Sequence, residues 1–373
     1  MQSVTNPGRL ITKIPQLRIS LTVPCGKKCV YCRPGGEGFD APRESEMTVH
    51  HVVELSRIFV RNGVTDIKLT GGDPMLRPDI VEIVRELRAI DGVRSIHMVT
   101  RHHRAGSLAG ALKNAGLDVL NFSVDSLDPH TWSAITGVKG HHLLIEAVRQ
   151  AAATGITVKL NAVILSGVNS DEIPALVDFA GEFGAELKLL DLIDDVPGFS
   201  QTVTPPGFSR DRSFNLDTVL DRFRDEASYA DLDTQPGGLG HPMPRFGMPS
   251  GATVLVKTAN EGAWYGGICE GCRFFPCHDA LMAVRLTAAG ELQHCLLRDD
   301  NLVDVRSMID AGRADDAELA IRSALDVYAS ARFFDRRELA DLRKRRTIIP
   351  LALSVKPSPA NPSSPASIDS VNS

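Results

Sequence analysis

The sequence is poor in aromatic residues and contains no long uninterrupted hydrophobic run. Phe, Trp and Tyr make up only 5% of the 373 residues. No apolar stretch reaches the roughly 20 residues that a membrane-spanning helix requires. The first fifteen residues also lack the apolar segment of a secretory signal. We therefore expect a cytoplasmic protein that does not associate with membranes.

An excess of positive charge is also missing. Lys and Arg number 41 against 46 Asp and Glu, which gives a formal net charge of −5. A general binder of nucleic acid polymers would carry the opposite sign, so that class is not expected. Hydrophobic residues account for 43% of the chain. This supply of apolar side chains is enough for one large α/β domain with an appendage.

Cysteine is scarce, but its distribution is informative. The seven cysteines form a group of three and a group of four, separated by 236 residues without cysteine. An odd total in two clusters, without an export signal, favours metal ligation over disulfide bonds. The two groups are Cys25, Cys29 and Cys32, and then Cys269, Cys272, Cys277 and Cys295.

The first cysteine group follows an apolar, strand-like run at residues 17–23 and has the spacing Cys25-x3-Cys29-x2-Cys32. Three thiolates can bind three irons of a [4Fe–4S] cluster and leave the fourth iron open to a small molecule. Two alternatives are a structural zinc site and buried thiols. Structural zinc normally takes four ligands, with cysteines arranged in pairs, so we favour the cluster.

Strand-like and helical segments alternate along the first half of the chain. This alternation predicts a parallel sheet with right-handed crossovers, either doubly wound or a partial barrel. The cysteine group would leave the carboxyl end of the first strand, where α/β folds bind ligands. The six predicted strands are residues 17–23, 66–70, 95–100, 119–124, 157–165 and 186–193.

A second motif, Gly71-Gly72-Asp73, follows the second predicted strand. Glycine lets the backbone approach a ligand without interference from a Cβ atom. A neighbouring carboxylate could accept a hydrogen bond from an ammonium group. The same residues could also form only a tight turn.

Taken with the cysteine spacing, these residues resemble the radical S-adenosylmethionine (SAM) enzymes. Further segments in the same order resemble the GTP 3′,8-cyclase family of molybdenum cofactor biosynthesis. The segments that carry the resemblance are residues 17–20, 25–32, 68–74, 121–127, 158–163, 167–172 and 285–290. The resemblance implies an α/β fold, a partial (β/α)6 TIM-like barrel. Its expected parts are a lead at 1–15, the barrel at 16–200, an auxiliary-cluster region at 201–346 and a disordered tail at 347–373.

The resemblance also implies roles for individual residues. Cys25, Cys29 and Cys32 would hold the catalytic [4Fe–4S] cluster, completed by SAM. The residues implied to contact SAM are Tyr31, Gly71, Gly72, Asp73, Ser123 and Ile193. The residues implied to contact a nucleotide substrate are Arg18, Lys68, Thr100, Lys159 and Arg285.

The second cysteine group, Cys269-x2-Cys272-x4-Cys277-x17-Cys295, allows either a closed structural zinc site or a second [4Fe–4S] cluster. The family carries a second cluster on Cys-x2-Cys-x13-Cys, whose open iron binds the substrate base. We expect a cluster here also, with four candidate cysteine ligands. The spacing departs from that of the family, because His278 and Leu281 stand where two of its cysteines belong. His278 is a further candidate ligand.

Other departures from the family concern the substrate. Ala283 replaces an arginine, Val23-Pro24 precedes Cys25 instead of the usual Asp-Arg, and the sequence ends in Ser373 without a Gly-Gly tail. We therefore expect a divergent radical SAM cyclase that forms a carbon–carbon bond in a nucleotide, like the enolpyruvyl-UMP cyclase of nucleoside antibiotic pathways.

Three other functions stay open at this point: an authentic GTP 3′,8-cyclase, a peptide-modifying radical SAM enzyme, and a non-catalytic metal scaffold. The radical SAM functions require an electron donor such as flavodoxin or ferredoxin.

Overall fold

The computed structural model describes residues 14–32, 46–192, 212–233, 243–258, 262–264, 269, 283–295, 301–329, 332–334, 337–338, 341 and 344. Several predictions fall outside these ranges. They are the disordered tail at 347–373, most of the N-terminal lead, and the roles of Ile193, Cys272, Cys277 and His278.

Strands and helices alternate from the first strand to residue 190. The strands are β1 Gln16–Ser20, β2 Asp66–Thr70, β3 Ser95–Thr100, β4 Val119–Ser123, β5 Thr157–Val163, β6 Glu186–Leu190, β7 Tyr229–Asp233, β8 Met243–Gly247, β9 Thr253–Lys257, β10 Gly262–Trp264, β11 Ala283–Leu286, β12 Glu291–Gln293, β13 Val303–Asp304 and β14 Arg332–Phe334. The helices are α1 Val49–Arg61, α2 Ile80–Arg88, α3 Arg104–Ala115, α4 Pro129–Thr136, α5 His141–Ala153, α6 Ile173–Gly181, α7 Leu220–Glu226, α8 Arg306–Asp310 and α9 Ala314–Ala329.

Twelve strands of the described ranges form one sheet in the order β13-β12-β11-β1-β2-β3-β4-β5-β6-β9-β8-β7. Strands β1 to β6 are parallel and lie side by side in chain order. A doubly wound sheet would reverse its strand order at a switch point, and β1 to β6 do not. The protein therefore has the predicted α/β fold with a partial (β/α)6 barrel.

The two faces of the barrel strands differ in polarity. On one face, Leu17 and Ile19 of β1 and the residues beside them on the neighbouring strands are apolar and buried, and they form one core with the helices. The residues between them are polar or partly exposed, as in the pattern of Lys159 and Asn161 on β5. Since successive side chains point to opposite faces of a strand, the polar set lines the inside of the barrel, called the lumen below.

Residues from beyond position 200 extend this sheet at both edges. Strand β11 pairs in parallel with β1, and β9 pairs in parallel with β6. Tyr328 of α9 ties the β11–β12 hairpin down, because its hydroxyl donates to the carbonyls of Ala283 at 3.0 Å and His294 at 2.9 Å. The predicted domain boundary at residue 200 stays a prediction.

Some elements differ from the sequence-based expectation. The sequence predicts a helix from Leu108 to Ala115, whereas α3 begins at Arg104. Helix α4 was not predicted. The start and end signals of α4 are present in the sequence: the Asp128 side chain caps its first turn, and Gly137 ends it at φ +71°. Strand β8 lies in a Gly- and Pro-rich stretch, whose composition predicts irregular structure. Pairing with β7 and β9 nevertheless makes this segment a strand.

No helix in the part of the chain that the structure describes is long and apolar enough to cross a membrane.

Candidate active site at the mouth of the barrel

The loop of residues 25–32, here the cysteine loop, follows the end of β1 and is held by the last turn of α4. The amide of Lys28 donates to the Thr136 carbonyl at 2.9 Å, and that of Val30 donates to Ile135 at 2.9 Å. Within the loop, the Cys32 amide donates to the Cys29 carbonyl at 2.9 Å. These bonds fix the loop over the carboxyl ends of the strands.

The glycine pair packs directly on the entry to this loop. The Gly72 amide donates to the Thr22 carbonyl at 2.7 Å, and Gly71 has a φ of +133°. A Cβ atom on Gly72 would lie 2.1 Å from the carbonyl oxygen of Pro24. Any larger residue at position 72 would therefore push the cysteine loop away, so this glycine serves close backbone packing.

Asp73 is buried, with 2% of its surface exposed. Its Oδ1 accepts hydrogen bonds from the Thr100 hydroxyl at 2.6 Å and the Met75 amide at 3.0 Å. Its Oδ2 accepts from the Arg101 amide at 2.9 Å. Both oxygens thus hold neighbouring segments in place. Asp73 therefore orders the mouth of the barrel, by which we mean the cysteine loop and the carboxyl ends of the strands beneath it, in addition to its predicted contact with SAM.

Arg101 follows β3 and reaches across to the cysteine loop. Its Nη1 donates to Cys29 Sγ at 3.1 Å and lies 2.8 Å from Asp125 Oδ2, while its Nη2 donates to the Tyr31 hydroxyl at 2.6 Å. The Tyr31 hydroxyl donates in turn to Asp125 Oδ2 at 2.5 Å. Asp125, 1% exposed, also accepts from the Val163 amide at 3.0 Å.

Burial governs the protonation of the thiols in the cysteine loop. Burial raises the pKa of Cys25 to about 11, with the Asp73 and Cys29 charges acting in the same direction and Arg101 opposing them. Burial also raises the pKa of Cys29, and the Arg101 guanidinium again opposes it. A positive charge beside the sulfurs favours the thiolate form that metal ligation needs.

Cationic side chains line the lumen below the cysteine loop. Arg18 of β1 lies opposite Lys68 of β2, and Lys159 and Lys188 occupy lumen positions of β5 and β6. We call these four residues the lumen cations. The charge of Lys188 acts on Lys68 although three strands separate β2 from β6. An influence over three intervening strands fits a curved sheet, because a flat one would keep β2 and β6 about 19 Å apart.

Positive charge dominates this part of the lumen. Burial lowers the pKa of Lys68 well below its usual range, and Arg18, Lys188 and Lys159 lower it further. Burial likewise lowers the pKa of Lys188 to about 8.

Two neighbouring side chains complete this electrostatic setting. Glu186 lies among the lumen cations and accepts from Lys159 Nζ at 2.9 Å. Burial and the charge of Lys68 lower the pKa of His97 to about 4, so this imidazole is neutral at pH 7. Such an arrangement suits an anionic ligand with several charges.

The structure brings together most of the predicted residues but separates some. Ser123 ends β4 on the lumen face, and Arg285 of β11 lies opposite Arg18. Thr100 occupies the helix-facing side of β3 and bonds to Asp73, away from the lumen cations. In the second cysteine group, Cys269 is half-buried and Cys295 is buried.

Sequence reasoning missed three residues that the geometry singles out: Arg101, Asp125 and Lys188. Lys188 could have been found, because β6 alternates polar and apolar residues in the same way as β5. Arg101 immediately follows β3 at the carboxyl edge of the sheet, which is the edge where ligands bind. Its contact with Cys29 depends on the loop conformation, which the sequence does not reveal.

Comparison with known proteins agrees with this geometry. Residues 19–180 match the radical SAM superfamily. A probable GTP 3′,8-cyclase of Metallosphaera sedula is 33% identical over 294 residues, covering 78% of this chain and 84% of that protein. The chain belongs to the GTP 3′,8-cyclase family of radical SAM enzymes. GTP 3′,8-cyclase 1 of Pseudomonas aeruginosa is 32% identical over 306 residues, covering 80% and 84%.

A solved structure supports the fold of this radical SAM enzyme. The structure of Streptococcus suis SuiB bound to S-adenosylmethionine superposes with a TM-score of 0.53 at 15% identity, covering 84% of this chain and 68% of that one. At this identity the likeness concerns the fold alone.

The cofactors of this radical SAM enzyme are a [4Fe–4S] cluster and SAM, as predicted, and the family also carries a second cluster in the C-terminal region. The residues at the mouth fit the first group. Neither Cys25 nor Cys29 is in a disulfide, and Arg101 supplies a compensating charge and an N–H donor to one sulfur. Thiolates of this kind are the normal ligands of iron–sulfur clusters.

Proposed function

We propose that this protein is a GTP 3′,8-cyclase that cleaves SAM reductively and joins C3′ to C8 within GTP. The observation that carries the proposal is the position of the four lumen cations directly below the cysteine loop. When bound, the cluster supplies an electron to SAM, whose cleavage gives methionine and the 5′-deoxyadenosyl radical that abstracts a sugar hydrogen.

Different side chains of this protein hold the cluster, SAM and the nucleotide. Cys25, Cys29 and Cys32 hold the cluster, while Gly71, Gly72 and Ser123 shape the place of SAM at the mouth. Arg18, Lys68, Lys159 and Lys188 bind the triphosphate from the lumen side. Enclosure between the cysteine loop and the lumen keeps the reacting atoms in line and excludes water from the radical.

The expectation of an enolpyruvyl-UMP substrate lacks support, since the similar relatives are GTP 3′,8-cyclases by name. The lumen also favours a triphosphate, because Lys188 adds a cation that the sequence-based prediction did not count. Ala283 does remove one arginine from the family pattern, so the nucleotide must be tested directly.

We extend the proposal to the remaining parts. The second cysteine group, Cys269, Cys272, Cys277 and Cys295, holds the second cluster. The electron donor is a small carrier such as flavodoxin or ferredoxin, and the reaction takes place in the cytoplasm. About eight irons per chain would distinguish two clusters from a single cluster with about four and a structural zinc ion.

The test is anaerobic reconstitution with SAM and a reductant, followed by separate addition of GTP, ATP and enolpyruvyl-UMP. We expect GTP alone to stimulate formation of 5′-deoxyadenosine and a cyclised nucleotide, both detected by mass spectrometry. Cys25→Ala, Cys29→Ala and Cys32→Ala should each abolish SAM cleavage. Stimulation by enolpyruvyl-UMP and not by GTP would refute the proposed substrate, and cleavage that survives in the cysteine variants would refute the site.

A further inference from the structure

We propose that Arg101 is a positioning residue that raises the reduction potential of the [4Fe–4S] cluster by donating an N–H hydrogen bond to the sulfur of Cys29. This inference rests on the proposed assignment of the cluster to the cysteine loop. It goes beyond that assignment by naming the side chain that sets how easily the cluster accepts an electron.

The first support is the contact itself. Arg101 Nη1 lies 3.1 Å from Cys29 Sγ, which is short for a hydrogen bond to sulfur. Arg101 is largely buried, with 11% of its side chain exposed. Since little water surrounds this guanidinium, its charge and its N–H group act on the sulfur with little screening.

The second support is that other residues fix the position of Arg101. Asp125 lies 2.8 Å from Nη1, and the Tyr31 hydroxyl accepts from Nη2 at 2.6 Å. The Arg101 backbone amide is fixed by Asp73 at 2.9 Å. An arginine that is fixed at both its backbone and its guanidinium keeps its N–H group directed at the Cys29 sulfur. Groups around metal ligands tune a site in this way.

The physical consequence concerns electron affinity. Reduction adds negative charge to a cluster, and that charge spreads onto the sulfur ligands. A hydrogen bond from a cation to one sulfur stabilises the reduced form more than the oxidised form. Hydrogen bonds to the sulfurs are among the factors that set the potentials of iron–sulfur clusters.

The experiment measures the midpoint potential of the reconstituted enzyme without SAM, by redox titration followed by electron paramagnetic resonance. A Cys25→Ala variant, which loses the cluster of the cysteine loop, identifies the component that belongs to it. We expect Arg101→Met to need a lower potential. At any fixed applied potential, the ratio of reduced to oxidised cluster should be about tenfold lower than in the wild-type protein, which corresponds to a shift of 59 mV for one electron.

Two further variants separate the hydrogen bond from general charge and from misfolding. Arg101→Lys keeps the charge but loses the planar fork, so we expect an intermediate shift. Lys27→Gln removes a charge that acts on both Cys25 and Cys29 from within the loop, and we expect a smaller shift. Iron content shows which variants load the cluster. If Arg101→Met fails to load it, Arg101→Lys carries the test.

The outcomes are distinguishable. An unchanged potential in a loaded Arg101 variant would overturn the inference, and so would a shift in Lys27→Gln as large as that in Arg101→Met. Weaker SAM binding with an unchanged potential would assign Arg101 to SAM and also overturn it. Failure of the wild-type protein to assemble a cluster at the cysteine loop would instead refute the proposed function.

Discussion

The mouth and the lumen of the barrel are adjacent, but they satisfy their charges differently. At the mouth, Asp73, Arg101 and Asp125 have protein partners at hydrogen-bond distance. In the lumen, burial and the charges of Arg18, Lys188 and Lys159 lower the pKa of Lys68, and Glu186 offsets them only in part. The mouth is therefore built before any ligand arrives, whereas the lumen gains most from an anion that compensates its charge.

The largest expected effect comes from disrupting the mouth. Asp73→Asn keeps the shape but turns an N–H group toward the Arg101 amide, which also carries an N–H. Leaving such a buried donor unpaired costs about 2–3 kcal/mol, so we expect SAM cleavage to fall on the order of 100-fold. The measurement is the rate of 5′-deoxyadenosine formation at equal iron content.

Thr100→Val is the matched control, because it removes only one of the three donors to Asp73. We expect a loss of about tenfold or less in that variant. An Asp73→Asn variant that cleaves SAM at the wild-type rate would show that the mouth does not depend on this carboxylate.

The next effect concerns the lumen. Lys188→Met should raise the KM for GTP by about 10- to 100-fold, because a charge-assisted hydrogen bond to phosphate is worth roughly 1.5–3 kcal/mol. SAM cleavage without nucleotide should change little, since that reaction takes place at the mouth. Steady-state kinetics on both reactions provide the test.

Lys139→Met is the control for Lys188→Met, because Lys139 is an exposed lysine after α4 and lies outside the lumen. It should leave the KM unchanged. Equal effects of the two substitutions would mean that general surface charge, not the lumen, attracts the nucleotide.

A smaller effect is expected from pH. The pKa of Lys188 is lowered from 10.5 to about 8 in the folded protein. An anion favours the protonated lysine, so nucleotide binding at pH 8 should take up protons and weaken as the pH rises above 8. Calorimetric titration with GTP in buffers of different ionisation enthalpy measures this uptake, and a heat independent of the buffer would argue against it.

The same shift has the opposite sign for stability without a ligand. Between pH 8 and 10.5 the unfolded chain binds more protons at this lysine than the folded protein does. The contribution of Lys188 to the free energy of unfolding therefore rises with pH across that window. Below pH 8 the full cost of burying its charge remains.

The smallest expected effect is a gain in stability. Lys68→Met replaces a disfavoured lumen charge by an apolar side chain of similar length, and we expect the ligand-free protein to gain about 1 kcal/mol. The melting temperature should rise by about 2 °C. Addition of GTP should stabilise the wild-type protein more than this variant, and a lower melting temperature in Lys68→Met would contradict the repulsion argument.

The sequence predicted the mouth better than the lumen, for a physical reason. Cysteine spacing and a glycine pair are local patterns, and the structure places Gly72 directly against the entry to the cysteine loop. The strand register that puts Arg18 opposite Lys68 is a tertiary property. Only the family resemblance predicted that pair, and Lys188 lay beyond it.

The elements after residue 200 show the same division. The β11–β12 hairpin has a local signal in the sequence, because apolar residues flank a turn at Gly290. The position of β11 beside β1 could not be predicted, because nothing local to either strand specifies a neighbour more than 260 residues away. Strand β7 was missed since its side chains are mostly exposed and carry no buried pattern.

The pairing of β1 with β11 has a consequence for how the chain folds. Strand β1 is synthesised before the other described elements, yet its outer edge receives its partner only after Leu286 has been made. A contact of such sequence separation closes late and slows folding. Until then β1 presents an unpaired edge, a common starting point for aggregation. The nascent barrel therefore stays prone to aggregation until β11 has been made, and pairing of the β11–β12 hairpin with β1 covers the exposed edge.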